Sequence, residues 1–381
     1  MRVMHVISDE NIGGAGVLLT TLLRNFDRGR VQSRVALPQN SRLSERIAAL
    51  DIPIHSLQYP CDRFSLRSVR ELSRLMEREG VDLVHANAAL CARIAARRTR
   101  TAVLHTRHCC FPPTGIWKNQ AVRKIGGVWN RSLSDRVIAT AQAAAEDLQR
   151  LGIPDRQIEV ILNGSEPIRE VGETELAVFR NKWGIQKGDF VVGISARLAP
   201  CKGHETFLRA AKLACKSAPE LTFRFLIAGD GSRRAELENM SHLLGISNHV
   251  VFCGFLEDMA PFYRMLRLNV NCSNGTETSC LALSEGMSAG VPMAVSDYGG
   301  NRDMVGESEA GIVFPVGNES ALAEAIVGIA SDPSKEARMR SAAYARYLAR
   351  YTASGMTERV TDLYERLLFP SAFSREDPFF G

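Results

Sequence analysis

Short apolar runs rich in β-branched residues alternate with helical patterns along the whole chain of 381 residues. A first series covers residues 3–7, 33–37, 54–57, 83–86, 102–106, 136–140 and 158–162, and a second covers residues 190–195, 222–228, 250–253, 268–272, 292–296 and 311–314. This alternation predicts parallel sheets covered by helices. Because the chain is longer than one ordinary core, we predict an α/β protein with two Rossmann-like, doubly wound domains that face each other across a cleft.

The domain boundary is predicted where glycine and proline interrupt the pattern, in residues 163–168, ahead of a predicted helix over 173–183. The N-terminal domain then covers residues 1–165 and is completed by the C-terminal helix, at about 352–370, and the second domain covers residues 166–351.

Composition limits the class of protein. With 45% hydrophobic and 23% charged residues, the chain is typical of soluble globular proteins. No apolar run approaches the roughly 20 residues that cross a bilayer, and the apolar start is too short for a signal peptide, so we expect a cytoplasmic protein. Nine cysteines without a Cys-x-x-Cys pair indicate reduced thiols. The net charge of +5 is too small to suggest a nucleic acid partner.

Two carboxylates, Glu277 and Glu285, surround a stretch of small residues in which a helix is predicted to begin near Ser279. The free N–H groups and positive dipole end of such a helix form a site for a phosphate or pyrophosphate. Because carboxylates repel phosphate, we expect both glutamates to accept hydrogen bonds from neutral hydroxyls on either side of it. A nucleotide sugar has this layout: sugar hydroxyls, diphosphate and ribose hydroxyls.

Two cations follow the strand at residues 190–195, namely Arg197 and Lys202. Arginine offers a planar fork for phosphate oxygens and lysine a compact charge. Together they can neutralise a departing diphosphate, so we expect no metal ion and no cofactor besides the nucleotide-sugar substrate. Two solvated loop cations are the alternative interpretation.

A glycine loop, Gly13-Gly14-Ala15-Gly16, follows the first strand. Glycines there permit either a tight turn or close approach of the backbone to a ligand phosphate. A Rossmann oxidoreductase is excluded because the G-x-G-x-x-G spacing and the acidic residue after the second strand are both missing.

These three segments together resemble the retaining glycosyltransferases of family 4, which have the GT-B architecture. The matching pieces are the glycine loop, the stretch from Arg197 to Lys202-Gly203, and the two glutamates with seven residues between them. Gly290-Val291-Pro292 and Gly299-Gly300-Asn301 downstream add to the likeness.

The resemblance implies roles for individual residues. Arg197 and Lys202 would hold the donor diphosphate, Glu285 the ribose hydroxyls and Glu277 the sugar. The other donor-binding residues that it implies are Gly14, Gly16, Gly229, Gly254, Phe255, Ser279, Cys280 and Leu281. Thr278-Ser279-Cys280 departs from the more glycine-rich and aromatic filling of the family, which leaves the choice of donor open.

A histidine at the end of the strand at residues 102–106 would face the transferred sugar in similar enzymes. Two candidates exist, His105 and His108, and the Thr-x-His pattern favours His108. The predicted catalytic set is therefore Arg197, Lys202, His108 and Glu277, without a metal ion.

The function implied is retaining transfer of a sugar from a nucleotide-diphosphate sugar, with a UDP-sugar expected, to a hydroxyl of a glycan, glycolipid or lipid-linked acceptor. Cell-surface polysaccharide or glycoconjugate biosynthesis is the expected setting. The alternatives are a small-molecule or secondary-metabolite acceptor, a nucleotide-sugar epimerase, and a non-catalytic nucleotide-sugar-binding module.

Peripheral contact with an anionic membrane, at the inner face of the plasma membrane, is a further hypothesis. Residues 115–131 mix Trp117, Val128 and Trp129 with basic side chains, a composition suited to such a surface, and the basic stretch from Arg63 to Arg78 adds to it. An ordinary amphipathic helix with its tryptophans in the core is the alternative.

Overall fold

The chain folds into two compact units. The computed structural model describes residues 1–10, 13–108 and 120–370, with the backbone alone for residues 120–125. Unit 1 comprises Met1–Gly164 together with the segment that begins at Ala353, and unit 2 comprises Ser165–Thr352. Each of the two boundaries lies one residue from the position predicted from the sequence.

Unit 1 contains a seven-stranded parallel sheet with the strand order β3-β2-β1-β4-β5-β6-β7. Its strands are β1 (Arg2–Ile7), β2 (Gln32–Pro38), β3 (Ile54–Leu57), β4 (Leu83–Asn87), β5 (Ala102–Arg107), β6 (Arg136–Ala139) and β7 (Ile158–Val160). The helices between them are α1 (Gly14–Asn25), α2 (Leu43–Ala48), α3 (Leu66–Glu79), α4 (Leu90–Thr99), α5 (Gln120–Ser132) and α6 (Gln142–Arg150).

Helix α3 shows how the sequence determines these elements. It begins after Ser65, whose side chain accepts a hydrogen bond from the Ser68 amide, and it ends at Gly80, which takes the left-handed conformation with φ 58°. One face buries Val69, Leu72 and Met76 against the sheet, while the opposite face carries arginines. Burial of the apolar face therefore orients the charged face outward.

Unit 2 contains a six-stranded parallel sheet with the order β10-β9-β8-β11-β12-β13. Its strands are β8 (Phe190–Ser195), β9 (Phe223–Ala228), β10 (Val250–Gly254), β11 (Leu268–Asn271), β12 (Met293–Ser296) and β13 (Gly311–Phe314). Its helices are α7 (Glu173–Trp183), α8 (His204–Ser217), α9 (Arg234–Leu243), α10 (Ala260–Met265), α11 (Leu281–Ser288), α12 (Asn301–Val305), α13 (Glu319–Ala330) and α14 (Pro333–Arg350). The strand order reverses between β8 and β11, and ligands of such sheets bind beyond the carboxyl ends of the strands at this point.

The last helix, α15 (Ala353–Leu368), packs onto unit 1. The hydroxyl of Tyr364 lies 2.6 Å from Nδ1 of His85, and Arg30 Nη1 lies 2.7 Å from Glu358 Oε1. His5 also contacts the Tyr364 ring, and burial lowers the pKa of His5 to about 3. Contacts of the Tyr364 ring with the neutral His5 and with His85 therefore hold α15 against strands β1 and β4 of unit 1.

All thirteen predicted strands are present, and the prediction of an α/β fold with two doubly wound units is confirmed. Among the described helices, none has both the length and the apolar character needed to span a bilayer. The cysteines in the described ranges are free thiols.

Candidate functional site

Lys202 and Glu277 form an ion pair at the carboxyl ends of β8 and β11. Nζ of Lys202 lies 2.8 Å from Oε2 of Glu277. Gly203 makes this approach possible, because it has φ +65° and an added Cβ would lie 2.1 Å from the carbonyl oxygen of Cys272. Burial is the largest single influence and lowers the pKa of Lys202, but the charge and hydrogen bond of Glu277, together with the neighbouring Cys280 and Cys201, outweigh it, so the pKa of Lys202 is raised and the cation persists.

The Glu277 carboxylate is almost fully buried, with 6% of the residue exposed. Its Oε2 atom accepts hydrogen bonds from Lys202 Nζ, from Ser273 Oγ at 2.8 Å and from Asn271 Nδ2 at 3.3 Å. All three donors use the same oxygen. The second oxygen, Oε1, is therefore the atom with which Glu277 can accept a hydroxyl of a ligand.

The backbone around Glu277 is strained and tightly enclosed. Thr276 takes the left-handed conformation with φ 55°, which costs a β-branched residue about 1–3 kcal/mol. Gly299, at φ +57°, packs so closely that an added Cβ would lie 2.1 Å from the carbonyl oxygen of Glu277. Strain of this kind persists only where surrounding contacts impose it, and it fixes the position of the carboxylate.

Helix α11 begins at Leu281, two residues after Ser279, near which its start was predicted. Cys280 is extended, with ψ 111°, and its carbonyl accepts the first hydrogen bonds, from the amides of Leu283 and Ser284. The helix has no side-chain cap. The amides of Leu281 and Ala282 therefore have no partner within their own helix and can bind an anion at its positive end.

Glu285 lies in the second turn of α11 and pairs with Tyr263 from α10. The Tyr263 hydroxyl donates to Oε2 of Glu285 at 2.7 Å. Burial raises the pKa of Glu285, and the bond from Tyr263 opposes that rise. Sequence reasoning missed Tyr263, Asn271 and Ser273, although polar residues that end a buried strand such as β11 were a usable signal for the last two.

Backbone hydrogen bonds bring the loops after β8, β9 and β10 together. The Ala196 amide donates to the Ala228 carbonyl at 3.0 Å, and the Gly229 amide donates to the Gly254 carbonyl at 2.8 Å. The side chains of Arg197 and Phe255 at these loops are exposed. Within the described part of unit 2, Arg197 makes no ion pair, so its charge is available to a ligand.

The predicted residues of unit 2 thus belong to neighbouring strand ends, to the loops that follow them and to helix α11, at one edge of the sheet. They are Arg197, Lys202, Gly229, Gly254, Phe255, Glu277, Ser279, Cys280, Leu281 and Glu285. Their individual roles stay predictions.

The remaining predicted site residues lie in unit 1. His108 Nε2 lies 2.8 Å from Oδ1 of Asn87, and burial lowers the pKa of His108 to about 4, so the ring is neutral. His105 lies within β5, and burial lowers its pKa well below the ordinary value as well. Which of the two faces a sugar stays a prediction.

Gly14 and Gly16 lie in the first turn of α1. An added Cβ at Gly16 would lie 2.7 Å from the side chain of Leu43, whereas one at Gly14 would meet no atom within 4 Å. The lack of a side chain at Gly16 therefore serves the packing of α1 against α2, and contact of either glycine with a ligand stays a prediction.

The segment proposed for membrane contact is described from Gln120 onward, and Trp117 lies outside the described residues. In α5, Val128 is 52% exposed and Trp129 is 54% exposed. The alternative that places this tryptophan in the core is therefore wrong for Trp129.

Two family models match the chain, one for each unit. The model described as Glycosyltransferase Family 4 matches residues 12–168, and that described as Glycosyl transferases group 1 matches residues 177–346. Together they cover most of both units.

Relatives and solved structures agree with these models. EpsD, a provisionally named glycosyltransferase of Bacillus subtilis (strain 168), is 28% identical over 327 residues, which are 82% of this chain and 83% of that protein. The 2-deoxystreptamine N-acetyl-D-glucosaminyltransferase of Streptomyces fradiae is 28% identical over 300 residues, which are 74% of this chain and 70% of that protein. The crystal structure of Anabaena HepE in complex with UDP is similar with a TM-score of 0.84 and 22% identity, covering 96% of this chain and 100% of HepE. The chain therefore belongs to glycosyltransferase family 4 and has the GT-B fold.

Proposed function

We propose that this glycosyltransferase moves a sugar from a UDP-sugar, with retention of anomeric configuration, to a hydroxyl of a glycan, glycolipid or lipid-linked acceptor in cell-surface polysaccharide or glycoconjugate biosynthesis. The observation that carries the proposal is the arrangement of Lys202, Glu277 and the uncapped start of α11 in unit 2. It combines a cation, a carboxylate that can accept hydroxyls and the two backbone amides of Leu281 and Ala282. These are the groups that a diphosphate beside a sugar requires.

The donor is proposed to lie along the strand ends of unit 2. Lys202, Arg197 and the first amides of α11 bind the diphosphate, Glu277 accepts a sugar hydroxyl through Oε1, and Glu285 accepts the ribose hydroxyls. The similarity to HepE, whose structure contains UDP, supports the choice of a uridine nucleotide.

The cations are proposed to act on the leaving group. As the bond between the anomeric carbon and the phosphate oxygen breaks, negative charge grows on the diphosphate, so Lys202 and Arg197 stabilise the transition state more than the ground state. The acceptor oxygen forms its bond to the anomeric carbon on the same face, and its proton passes to the departing phosphate oxygen. No carboxylate then acts as nucleophile and no metal ion is required, while the neutral His108 hydrogen-bonds the sugar.

Replacement of Lys202 tests this proposal. We expect Lys202→Ala to lower kcat at saturating donor by at least about tenfold, which is on the order of 1.4 kcal/mol. Lys212→Ala, which removes an exposed cation of α8, is the matched control and should leave kcat unchanged. Near-normal turnover of a folded Lys202→Ala protein would refute the role of the cation.

The products separate this proposal from its rivals. With a labelled UDP-sugar and an acceptor panel, NMR of the product should show the anomeric configuration of the donor, and a chelator should leave the rate unchanged. An interconverted nucleotide sugar without transfer would indicate an epimerase, and binding without any turnover a non-catalytic module. A small-molecule acceptor is the second candidate, because the similar enzyme of Streptomyces fradiae is named for 2-deoxystreptamine.

Peripheral membrane contact is proposed through α5, where Val128 and Trp129 are exposed next to the basic Arg131. We expect the protein to float with anionic liposomes at low salt and Trp129→Ser to float less. Absence of binding by the unmodified protein would remove this part of the proposal.

A further inference from the structure

Unit 1 contains a second site of distinct chemistry, which we call the arginine groove. It is a cavity of about 680 Å³ between the edge strand β3, with the two residues that follow it, and helix α3. Its charged lining is Arg67, Arg70, Glu71, Arg74 and Arg78. None of the residues predicted to bind the donor lines the arginine groove.

The four arginines form one stripe because their spacing of three or four residues places them on one helical face. At about 1.5 Å per residue the stripe is about 16 Å long. Arg67 lies over the ring of Tyr59 at 5.7 Å, and Arg78 lies 3.2 Å from Glu79.

The middle of the stripe carries uncompensated charge. Arg70 and Arg74 are exposed and make no ion pair with any residue in the described ranges. Guanidinium forks bind carboxylate, phosphate and sulfate groups in a bidentate manner. The stripe therefore favours a ligand with several anionic groups.

A carboxylate among these cations narrows the choice of ligand. Glu71 Oε1 accepts a hydrogen bond from the Gln58 amide at 2.9 Å, whereas Oε2 is buried without a hydrogen-bond partner. His55 is also in the groove lining, but its Nε2 atom lies 3.8 Å from Glu79 Oε1, and burial lowers the pKa of His55. Buried polar atoms are normally paired, so Glu71 Oε2 calls for a ligand with a hydroxyl group that enters the groove.

We propose that the arginine groove binds an anionic oligosaccharide, in which carboxylate, phosphate or sulfate groups pair with the arginines and a hydroxyl donates to Glu71 Oε2. A flat anionic membrane would contact the exposed arginine side chains but would leave Glu71 Oε2 without a partner inside the groove. The observations therefore favour a saccharide over the membrane role that the sequence suggested for these arginines. This binding requires neither the nucleotide-sugar donor nor sugar transfer, so its test is independent of the test of the proposed reaction.

Calorimetric titration of the full chain with defined saccharides tests the proposal. The probes are a galacturonate tetramer and a sulfated tetramer of neutral sugar, with maltotetraose as the uncharged control. We expect at least one anionic tetramer to bind and maltotetraose not to bind. Binding of neither anionic tetramer would overturn the proposal.

Two sets of variants locate the binding. Arg70→Ala/Arg74→Ala should weaken it by about tenfold or more, since charge-assisted hydrogen bonds are lost. Arg209→Ala/Lys212→Ala, which removes two exposed cations from α8, should leave it unchanged. Equal weakening by both pairs would overturn the proposal, because it would indicate attraction by net charge alone.

Two further arms identify the ligand class. Glu71→Gln should weaken binding of the tetramer but not of inorganic pyrophosphate, which cannot donate a hydroxyl to Oε2. Pyrophosphate that binds as tightly as the tetramers would overturn the proposal in favour of a simple anion site. Vesicles of phosphatidylglycerol that bind through Arg70 and Arg74, without any binding of the tetramers, would overturn it in favour of a membrane surface.

Discussion

The hydroxyl of Tyr263 allows a sharp test of how Glu285 is held. Tyr263→Phe keeps the ring in its edge-on contact with Phe262, at 5.4 Å between centroids, and removes only the group that donates to Glu285. Tyr263 is 0% exposed, so the ring position is set by packing and should not change. The variant therefore isolates a single hydrogen bond to a carboxylate.

The size of the effect follows from the charge of the acceptor. A hydrogen bond to an ionised group contributes about 1.5–3 kcal/mol, which corresponds to about one to two pKa units. Burial already raises the pKa of Glu285, and Tyr263 opposes that rise, so the variant should raise it further. Since the ionised carboxylate is proposed to accept the ribose hydroxyls, the variant should need a higher pH to bind its donor.

Calorimetric titration with UDP across a range of pH measures this shift. The pH at which affinity is half-maximal should rise by about one to two units in Tyr263→Phe and not in Tyr344→Phe, which alters an exposed tyrosine of α14. Relative to the unmodified protein, Tyr263→Phe should lower the free energy of unfolding more at about pH 8 than at about pH 5. The reason is that the lost hydrogen bond from the tyrosine hydroxyl stabilises mainly the ionised form of Glu285. A pH profile that matches that of the unmodified protein would refute the reasoning.

Three further predictions concern other parts of the two units. Gly203→Ala should lower the free energy of unfolding in urea by at least about 1–3 kcal/mol, because alanine at φ +65° is strained and its Cβ would meet the Cys272 carbonyl; an unchanged midpoint would contradict this. Cys280→Asp should weaken UDP binding by about tenfold or more, since a carboxylate at the start of α11 would occupy the anion site and repel the diphosphate of UDP. Cys280→Ala, measured by the same titration, should bind UDP normally. His5 has a folded pKa of about 3, so the unfolded state takes up its proton first and stability is lost as pH falls below about 6.5. His5→Leu should therefore lose about 1 kcal/mol less than the unmodified protein between about pH 7.5 and pH 5.5, measured as urea midpoints, and an equal loss would show that His5 is not the titrating group.

The fold was predictable because strands of a parallel sheet buried on both faces form short continuous apolar runs. The strands at residues 54–57, 190–195 and 311–314 have the predicted bounds. Others differ at their ends, as with β5, which extends to Arg107. Pairing with the neighbouring strands fixes such ends, and local composition does not contain that information.

The site was predictable only where its signal was local. Glu277, Glu285 and the small residues between them lie within one segment, so their spacing indicated an anion site. The structure places the start of α11 at Leu281, two residues after Ser279, because the chain stays extended through Cys280. The partners of the two glutamates are distant, with Lys202 75 residues from Glu277 and Tyr263 22 residues from Glu285, so only the folded sheet reveals them.

The C-terminal helix has a consequence for synthesis on the ribosome. Unit 2 is one continuous stretch, Ser165–Thr352, but unit 1 lacks α15 until those residues have been translated. At about 5–20 residues per second this interval lasts on the order of 10–40 seconds. During this interval Tyr364 does not yet cover the apolar surface around His5 and Phe26, so unit 1 is the first to be translated and the last to complete its fold.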